Sequence, residues 1–182
     1  MRTPGATTTW RLSGWTLHVC RHLKVLPLLR QAESHYVQCS IIAVGKIKAQ
    51  GLRAELDDYL KRIRRFCPCH EVELRDGPEA VVVQRFRKAI PDRARVVALE
   101  VEGQAWDSPG LARFISRCED GAVPHLAFLI GGSYGLPPAI SQQAHTQLSL
   151  SAMTLPHRLA RVFLAEQVYR AYTIIHNEPY SH

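Results

Sequence analysis

Apolar residues in this chain alternate between short continuous runs and runs at helical spacing, starting near residue 39. The first continuous run covers residues 39–45 and predicts a strand. Apolar residues then recur at the spacing of one helix face, at Leu52, Leu56, Tyr59, Ile63 and Phe66. The pair Cys67-Pro68 ends this predicted helix, because proline cannot continue it. The chain is therefore predicted to open with a strand followed by a helix.

The same alternation continues through the rest of the chain. Further strands are predicted around residues 71–74, 95–99, 125–130 and 148–150. Further helices are predicted over about residues 79–89 and 108–118, from Pro137-Pro138 onward, and over about 158–175. Ser108 is expected to cap the helix that it precedes, with Pro109 at the first helical position. Alternating strands and helices predict an α/β fold, with a parallel sheet covered by helices on both faces.

Ligands of parallel sheets gather at the carboxyl ends of the strands. Three such exits are predicted here, at residues 99–103, 131–135 and 150–157. Between Gly121 and Ala165 there is no Asp or Glu, so this part of the surface suits an anionic partner. The sequence therefore predicts a ligand site where these exits come together.

The glycine loop in the second exit has two possible explanations. Gly131, Gly132 and Gly135 do not follow the order G-x-G-x-x-G, and no acidic residue about 20 positions later is placed to bind a ribose. A phosphate-binding P-loop motif is also absent from the sequence. A tight turn after the strand would need these glycines, and so would close approach of a ligand. Both explanations stay open at this point.

The last predicted helix presents Leu159, Phe163, Glu166 and Arg170 on one face. Glu166 is the first carboxylate after the acid-free segment, with Arg158, Arg161 and Arg170 around it. One interpretation is an exposed ion pair between Glu166 and Arg170, worth about 0.3–0.5 kcal/mol. The other is a functional face whose arginine binds phosphate.

Three further side chains are candidates on the basis of their positions. His157 follows Pro156 at the predicted start of the last helix, and it is either a proton acceptor or only a residue near a helix end. Tyr180 and His182 are expected to form a frayed tail unless another subunit orders them.

Charge and cysteine content narrow the class of protein. The formal net charge is +7, but residues 1–38 carry five Lys/Arg and one Glu, which accounts for +4 and leaves about +3 for the rest. This is compatible with a local RNA-binding patch without requiring one. The odd number of scattered cysteines, Cys20, Cys39, Cys67, Cys69 and Cys118, argues against a disulfide framework and favours a reducing compartment. Cys67, Cys69 and His70 resemble half a metal site, but no second pair follows, so no metal is expected.

Residues 1–38 differ in composition from the rest, and we expect them to be an extension preceding a domain at 39–182. An organelle transit peptide and a translation start near Val37 are both compatible with this segment, and we favour the second slightly. A secretory signal does not fit, because no uninterrupted apolar stretch is present. No run approaches the ~20 apolar residues of a membrane span. We therefore expect a soluble cytoplasmic protein, with organelle import left open.

The blocks 129–136, 148–157 and 161–171, together with Pro179-Tyr180, closely resemble the RlmH family, and the resemblance extends over about residues 39–182. This family comprises SPOUT-class methyltransferases that act on N3 of a pseudouridine in large-subunit ribosomal RNA. The resemblance implies an α/β sheet with a carboxyl-terminal trefoil knot, an exception to the rule that chains are unknotted. It also implies S-adenosylmethionine as cofactor, ribosomal RNA in the assembled ribosome as partner, and a homodimer whose sites are completed across the interface.

The resemblance also implies particular site residues. The cofactor contacts are expected at Leu99, Gly131, Leu150, Ser151, Ala152, Met153, Thr154 and Leu155. A side chain at Gly131 is expected to occupy the space of the cofactor.

Methylation of an imide N3 requires loss of its proton, so a base or a positive environment is needed. The catalytic candidates are His157, Glu166, Arg170, Tyr180 and His182. Among them His157, Glu166 and His182 are the candidate bases, while Arg161 and Arg170 are expected to bind phosphate or stabilise an anion. Ser181 stands where the family commonly has a histidine, and this departure supports an alternative, a non-catalytic ribosome-binding module that retains the knot. A small-molecule methyltransferase is a third possibility.

Overall fold

The structure is a computed structural model that describes residues 37–180. Its strands are β1 (Gln38–Val44), β2 (Cys69–Leu74), β3 (Ala94–Ala105), β4 (His125–Ile130) and β5 (Thr146–Ser149). Its helices are α1 (Gln50–Ile63), α2 (Glu79–Ala89), α3 (Ser108–Asp120), α4 (Pro138–Ser141) and α5 (His157–Ile175). The expected extension lies outside the described residues apart from its last two positions, and His182 lies outside them as well.

The described strands form a five-stranded sheet in the order β2-β1-β4-β3-β5, and every pair of neighbours is parallel. Helices α1, α3 and α5 contribute to one buried core, and α2 and α4 contribute to the other. The predicted α/β fold with a parallel sheet covered on both faces is therefore confirmed. The knot implied by the resemblance remains a prediction, because strand order alone does not define one.

The alternating side chains of the inner strands build both cores at once. In β1, Ile41 and Ala43 belong to the core under α1, α3 and α5, whereas Ile42 and Val44 belong to the opposite core. Successive side chains of a strand point to opposite faces, so a continuous apolar run is what a strand covered on both sides requires. This pattern explains why strands 39–45 and 125–130 were readily predicted.

Two local predictions need correction. The cap of α3 is Asp107 and not Ser108, because an Asp107 carboxylate oxygen accepts a hydrogen bond from the Gly110 backbone N–H at 2.7 Å. Ser108 is already helical, and its hydroxyl donates instead to the Gln167 side-chain carbonyl at 2.6 Å. The predicted strand at 95–99 is also too short, since β3 continues to Ala105.

The extra length of β3 comes from an irregularity in its pairing with β5. Both Leu99 and Gln104 pair with Leu148, so the residues between them leave the ladder. The strand then returns so close to β5 that a Cβ on Gly103 would lie 2.7 Å from the Leu148 carbonyl carbon. A glycine is required at this approach, because real Cβ atoms are not found at that distance.

The described residues also bear on the expectations about membrane spans, cysteines and metal sites. No helix within 37–180 is both long and apolar enough to cross a membrane. Cys39, Cys67, Cys69 and Cys118 are all buried with free thiols. No group of three or more His, Cys, Asp or Glu side chains among these residues is arranged to hold a metal ion.

Candidate functional site

A cavity of about 400 Å³ lies where the carboxyl ends of β3, β4 and β5 meet. The interruption in β3 contributes Glu100 and Val101, the loop after β4 contributes its glycines, and the segment from β5 to α5 closes the other side. The three exits predicted from the sequence all contribute to this one cavity. Parallel strands bring their carboxyl ends to the same edge of the sheet, which is the physical reason for their convergence.

Seven of the eight expected cofactor contacts line this cavity: Leu99, Gly131, Leu150, Ser151, Met153, Thr154 and Leu155. Ala152 lies in the same loop but is exposed and does not line the cavity. The loop is held in place by its own serines. The Ser149 hydroxyl donates to the Ser151 carbonyl at 3.1 Å, and the Ser151 hydroxyl accepts from the Met153 N–H at 3.0 Å.

The backbone of its own loop already requires a glycine at position 131. A Cβ on Gly131 would overlap the backbone of Gly135 and Leu136 before it reached the cavity. The loop closes tightly because the Gly135 N–H donates to the Gly132 carbonyl at 3.1 Å and Gly135 has a φ of +80°. The structure therefore supports the tight-turn explanation, and the expectation that a side chain at position 131 would occupy the cofactor's space stays a prediction, with Gly131 in the cavity lining.

His157 is the candidate base that reaches the cavity. It is the first residue of α5, and its Nε2 lies close to the end of β1, where a Cβ on Gly45 would be 3.6 Å away. Burial lowers the pKa of His157, and the positive charges of Arg158 and Arg161 lower it further, while Asp76 opposes them. A lowered pKa leaves the imidazole neutral near pH 7, so it is able to accept a proton.

Arg161 is fully buried and does not face a ligand. Its Nη1 contacts the carboxylates of Glu71 at 2.8 Å and Glu73 at 3.0 Å, and its Nη2 donates to the carbonyls of Val44 at 3.2 Å and Gly45 at 3.0 Å. The expectation that Arg161 binds phosphate or stabilises an anion is therefore wrong. Two carboxylates at alternate positions of one strand were the signal that a buried cation had to neutralise them.

Glu166, Arg170 and Tyr180 form a second cluster, which we call the tail cluster. Arg170 binds the Glu166 carboxylate through Nη2 at 2.7 Å and Nε at 2.9 Å, and the Tyr180 hydroxyl donates to the same carboxylate oxygen at 3.3 Å. The Arg170 guanidinium lies 4.7 Å from the centre of the Tyr180 ring, which also meets the Tyr169 ring edge-on at 4.7 Å. Burial raises the pKa of Tyr180, and the neighbouring Tyr59 hydroxyl and Glu166 add to this effect.

This packing corrects the expectation of a frayed end, at least up to Tyr180. The tail is ordered by helix α5 of its own chain. The alternative of a simple surface ion pair is also incomplete, because Glu166 additionally accepts a hydrogen bond from the Gln167 side chain at 2.6 Å.

The candidate catalytic residues within 37–180 therefore lie in two places in one chain. His157 lines the cavity, whereas none of the three residues of the tail cluster does. Nine positions separate His157 from Glu166 along α5, which corresponds to about 14 Å of helix. The sequence placed Glu166 and Arg170 on one helix, with His157 at its predicted start, but did not show this separation.

A parallel α/β sheet with a cavity at its strand exits, apolar walls and a glycine loop is typical of proteins that bind a small organic ligand or cofactor. Residues 37–182 match the family described as "Predicted SPOUT methyltransferase". The chain belongs to the SPOUT methyltransferase family, as the resemblance indicated.

The chain is similar to two curated relatives, each named Ribosomal RNA large subunit methyltransferase H. It is 46% identical over 142 residues to the protein of Sorangium cellulosum, covering 78% of this chain and 97% of that protein. It is 41% identical over 149 residues to the protein of Geobacter sulfurreducens, with the same two shares covered. Its fold is similar to the crystal structure of a probable methyltransferase from Bordetella pertussis Tohama I, with a TM-score of 0.51, 15% identity, and 75% and 95% of the two chains covered.

Proposed function

We propose that this protein uses S-adenosylmethionine to methylate N3 of a pseudouridine in large-subunit ribosomal RNA. The relatives' printed name supports a ribosomal RNA substrate. The observation that carries the proposal is the convergence of seven expected cofactor contacts on one cavity at the strand exits. These residues come from three separate segments of the chain, and only the fold brings them together.

The lining of the cavity suits S-adenosylmethionine. Leu99, Leu150 and Leu155 provide apolar surface for an adenine ring, and the glycine loop offers backbone groups without side chains in front of them. The knot expected for the family would hold these segments. When bound, S-adenosylmethionine supplies an activated methyl group for transfer to a nucleophile.

The contribution of the protein is to orient the nucleotide and to take up its N3 proton. We assign proton acceptance to His157, because it lines the cavity and its pKa is lowered. Glu166 is a weaker candidate, since its carboxylate already accepts hydrogen bonds from Arg170, Gln167 and Tyr180. His182 remains a prediction, because it lies outside the described residues.

A homodimer would place the tail cluster of one copy beside the cavity of the other. On α5, Leu159 and Phe163 remain 44% and 42% exposed, and they share a helix face with Glu166 and Arg170. Exposed large apolar side chains beside a charged cluster are typical of an interface. We therefore propose that this face packs against a second copy and places the tail cluster near the partner's cavity.

The assembly proposal has a matched pair of variants. Phe163→Glu should convert the dimer to a monomer and abolish methyl transfer, as measured by light scattering and by the transfer assay. Val81→Glu places the same charge on a similarly exposed apolar residue, 41% exposed, in α2, and it should change neither. A monomeric unsubstituted protein with full activity would contradict the proposal.

Assembled ribosomes are the proposed substrate because a charge of about +3 over residues 39–182 provides few phosphate contacts. Recognition of the shape of a large assembly would supply the remaining affinity. A cytoplasmic location follows from this substrate and remains a proposal.

The direct test is a transfer assay with labelled S-adenosylmethionine on ribosomes that lack the modification, beside naked ribosomal RNA, with mass mapping of the product. We expect label at N3 of one pseudouridine, mainly in assembled ribosomes. Cofactor binding without transfer would favour the non-catalytic ribosome-binding module, for which Ser181 is the supporting sequence feature. Label on free nucleosides would favour a small-molecule methyltransferase.

The cavity itself is tested by filling it. Thr154 is exposed at the cavity wall, so Thr154→Trp should reduce cofactor affinity at least tenfold without disturbing the core. Gln143→Trp adds the same side chain at an exposed position outside the cavity and serves as the control. Equal affinities of both variants by calorimetry would exclude the cavity as the cofactor site.

A further inference from the structure

Three positively charged side chains lie around the start of α5, next to the cavity at the strand exits. Lys46 and Lys48 are in the loop that follows β1, and Arg158 follows His157 in the chain. All three are exposed. The two segments meet at His157, because a Cβ on Gly45 would lie 3.6 Å from its Nε2. We call Lys46, Lys48 and Arg158 the basic rim.

The backbone of the rim is held in place by the contacts of Arg161 beneath it. The Arg161 guanidinium donates to the Gly45 carbonyl at 3.0 Å and contacts Oε1 of Glu73 at 3.0 Å. The same Glu73 oxygen accepts a hydrogen bond from the Ile47 N–H at 3.2 Å, and the Ile47 side chain is buried. The two lysines on either side of Ile47 are therefore carried by a fixed segment that is fastened to the first turn of α5.

The rim cations have no carboxylate partner within residues 37–180. None of their side chains forms an ion pair or a hydrogen bond with that part of the chain. Asp76 is close enough for its charge to act on His157, but it forms no ion pair with the rim. Several other arginines of the surface are paired, namely Arg53 with Asp57, Arg62 with Asp58 and Arg113 with Asp107.

Unpaired charges of one sign on neighbouring segments repel each other, so a group of them favours a partner of the opposite sign. The rim lies at the edge of the sheet where the cavity opens, and His157 belongs to both the cavity lining and the contact between the rim segments. A nucleotide of an RNA strand that reaches this cavity brings its flanking phosphates to the same edge. The rim therefore has both the charge and the position to bind them.

The proposed dimer interface leaves the rim accessible. That interface uses the face of α5 that carries Leu159 and Phe163. Successive residues of a helix are about 100° apart around its axis, so Arg158 is turned away from this face. The loop after β1 is separate from this face of α5 in the chain. An RNA strand on the rim and a second copy on α5 are therefore compatible.

We infer that the basic rim binds the phosphates that flank the target nucleotide in ribosomal RNA. This inference rests on the proposed function and names the surface that positions its substrate. Lys46 and Lys48 contribute point charges, and Arg158 is able to bind a phosphate through two N–H groups. Contacts to phosphates fix the register and orientation of a strand without reading its sequence. The rim thus places the target nucleotide beside His157, and selection of the base is left to other groups.

Ribosome binding at a series of salt concentrations tests the rim without requiring turnover. The combined variant Lys46→Gln, Lys48→Gln and Arg158→Gln should bind ribosomes at least tenfold more weakly than the unsubstituted protein, as measured by sedimentation. The slope of log affinity against log salt should become shallower by about 2, because each phosphate contact to a single strand contributes about 0.7. The rim residues do not line the cavity, so the affinity for S-adenosylmethionine should stay within about twofold.

A matched control removes three charges at the opposite edge of the sheet. Arg87, Lys88 and Arg93 are exposed near the start of β3, and they too form no ion pair within residues 37–180. Replacing all three by Gln should change ribosome affinity less than about twofold, since charges beyond a Debye length are screened. An equal loss in this control would show that binding follows net charge alone and would overturn the inference.

Methyl transfer gives a second readout at about pH 8, where His157 is neutral. The rim variant should raise the KM for ribosomes about tenfold and leave kcat within about twofold, because phosphate contacts are the same before and during the reaction. Unchanged affinity and KM would overturn the inference while leaving the proposed function intact. If the unsubstituted protein transferred no methyl group, the proposed function would fail, and the salt dependence of ribosome binding would still decide whether the rim binds RNA. Weaker binding of the rim variant to phosphatidylglycerol vesicles, with unchanged binding to ribosomes, would assign the rim to a membrane surface instead.

Discussion

Helix α5 carries two arginines that both bind carboxylates, yet their surroundings are opposite. Arg161 is fully buried, and its partners are the carboxylates of β2, including Glu71 at a distance of 90 residues along the chain, and the carbonyls at the end of β1. The Arg170 side chain is 29% exposed and binds Glu166, one helical turn earlier. The first set of contacts exists only in the folded chain, whereas the second forms in any helix with this sequence.

The different surroundings determine how much each ion pair contributes to the stability of the fold. A buried guanidinium has lost its water, so removal of its partners or of the arginine itself leaves charges unpaired in a medium of low dielectric constant. A partly exposed pair such as Glu166–Arg170 keeps water as an alternative partner, so its contribution to folding is smaller. Arg161 therefore fixes the start of α5, with His157, against β1 and β2, whereas the tail cluster is partly buried and packs on α5 itself.

The largest expected effect is on stability, from Arg161→Met. This change removes one of the two arginines that bind Glu71, which is 8% exposed, and Arg53 remains as its other partner, so we expect the free energy of unfolding to fall by about 2–3 kcal/mol, less than the cost of a fully unpaired buried charge. Chemical denaturation measures this value. A loss below about 1 kcal/mol would mean that Arg161 and Arg170 contribute similarly to stability, contrary to the difference argued here from their burial.

The next effect is on the pH dependence of the reaction, through His157. Because the pKa of His157 is lowered below its usual 6.5, the imidazole is protonated only in acid, and the rate of transfer should rise with pH below 6.5 and level off near neutrality. His157→Gln should lower the rate of methyl transfer about 10²–10⁴-fold and abolish its rise with pH below 6.5. If the rate of the variant still rises with pH in this range, the proton is accepted by another group, such as Glu166.

The same lowered pKa has a consequence for folding. The unfolded chain takes up a proton on His157 at a higher pH than the folded chain does, so the stability contributed by this residue is present above about pH 6.5 and decreases as the pH falls below it. His157→Gln should reduce the acid sensitivity of unfolding in that range. Thermal unfolding at pH 5.5 and 7.5 compares the two proteins.

A smaller effect on stability is expected at Arg170, which is partly exposed. Arg170→Met should cost about 0.3–1 kcal/mol in the free energy of unfolding, since the pair with Glu166 is partly solvated. Its effect on methyl transfer should be larger than its effect on stability if the tail cluster acts at a partner's cavity. A loss of methyl transfer that is fully explained by the loss of folded protein would assign the cluster a structural role only.

The smallest effect is expected from Tyr180→Phe. The ring contacts with Tyr169 and Arg170 persist, whereas the 3.3 Å hydrogen bond to Glu166 and the contact with the Tyr59 hydroxyl are lost. We expect a change of about 0.5–1.5 kcal/mol or less in the free energy of unfolding. Tyr180→Ala, which also removes the ring, should cost more, and similar values for the two variants would show that the ring packing contributes little.

Much of the fold was predictable because burial on both sides of a sheet leaves a continuous apolar run in the sequence. The strand 125–130 and the helix 79–89 were predicted with the bounds that the structure has. Asp107 was missed as the cap of α3 because a neighbouring Ser108 offers the same chemistry one residue later. The interruption of β3 was missed because its pairing depends on β5, more than 40 residues farther along.

The candidate site was predictable only in part. The segments that line the cavity were identified because each follows an apolar run and contains glycine, small or polar residues. The position of Asp76 near His157 was not predicted, since it arises from the order of the strands. Arg161 was assigned to ligand binding because its position on α5 does not show which strand it packs against.

The sequence by itself determined the alternation of strands and helices, the parallel sheet, the glycine loop and membership of the SPOUT family, because these depend on local periodicity and on contiguous motifs. Only the tertiary structure decided that Arg161 is buried against Glu71, that Gly131 is required by the backbone of its own loop, and that His157 lies apart from the tail cluster. Periodicity records which face of an element is buried, but the partner that covers it is chosen by the packing of distant segments.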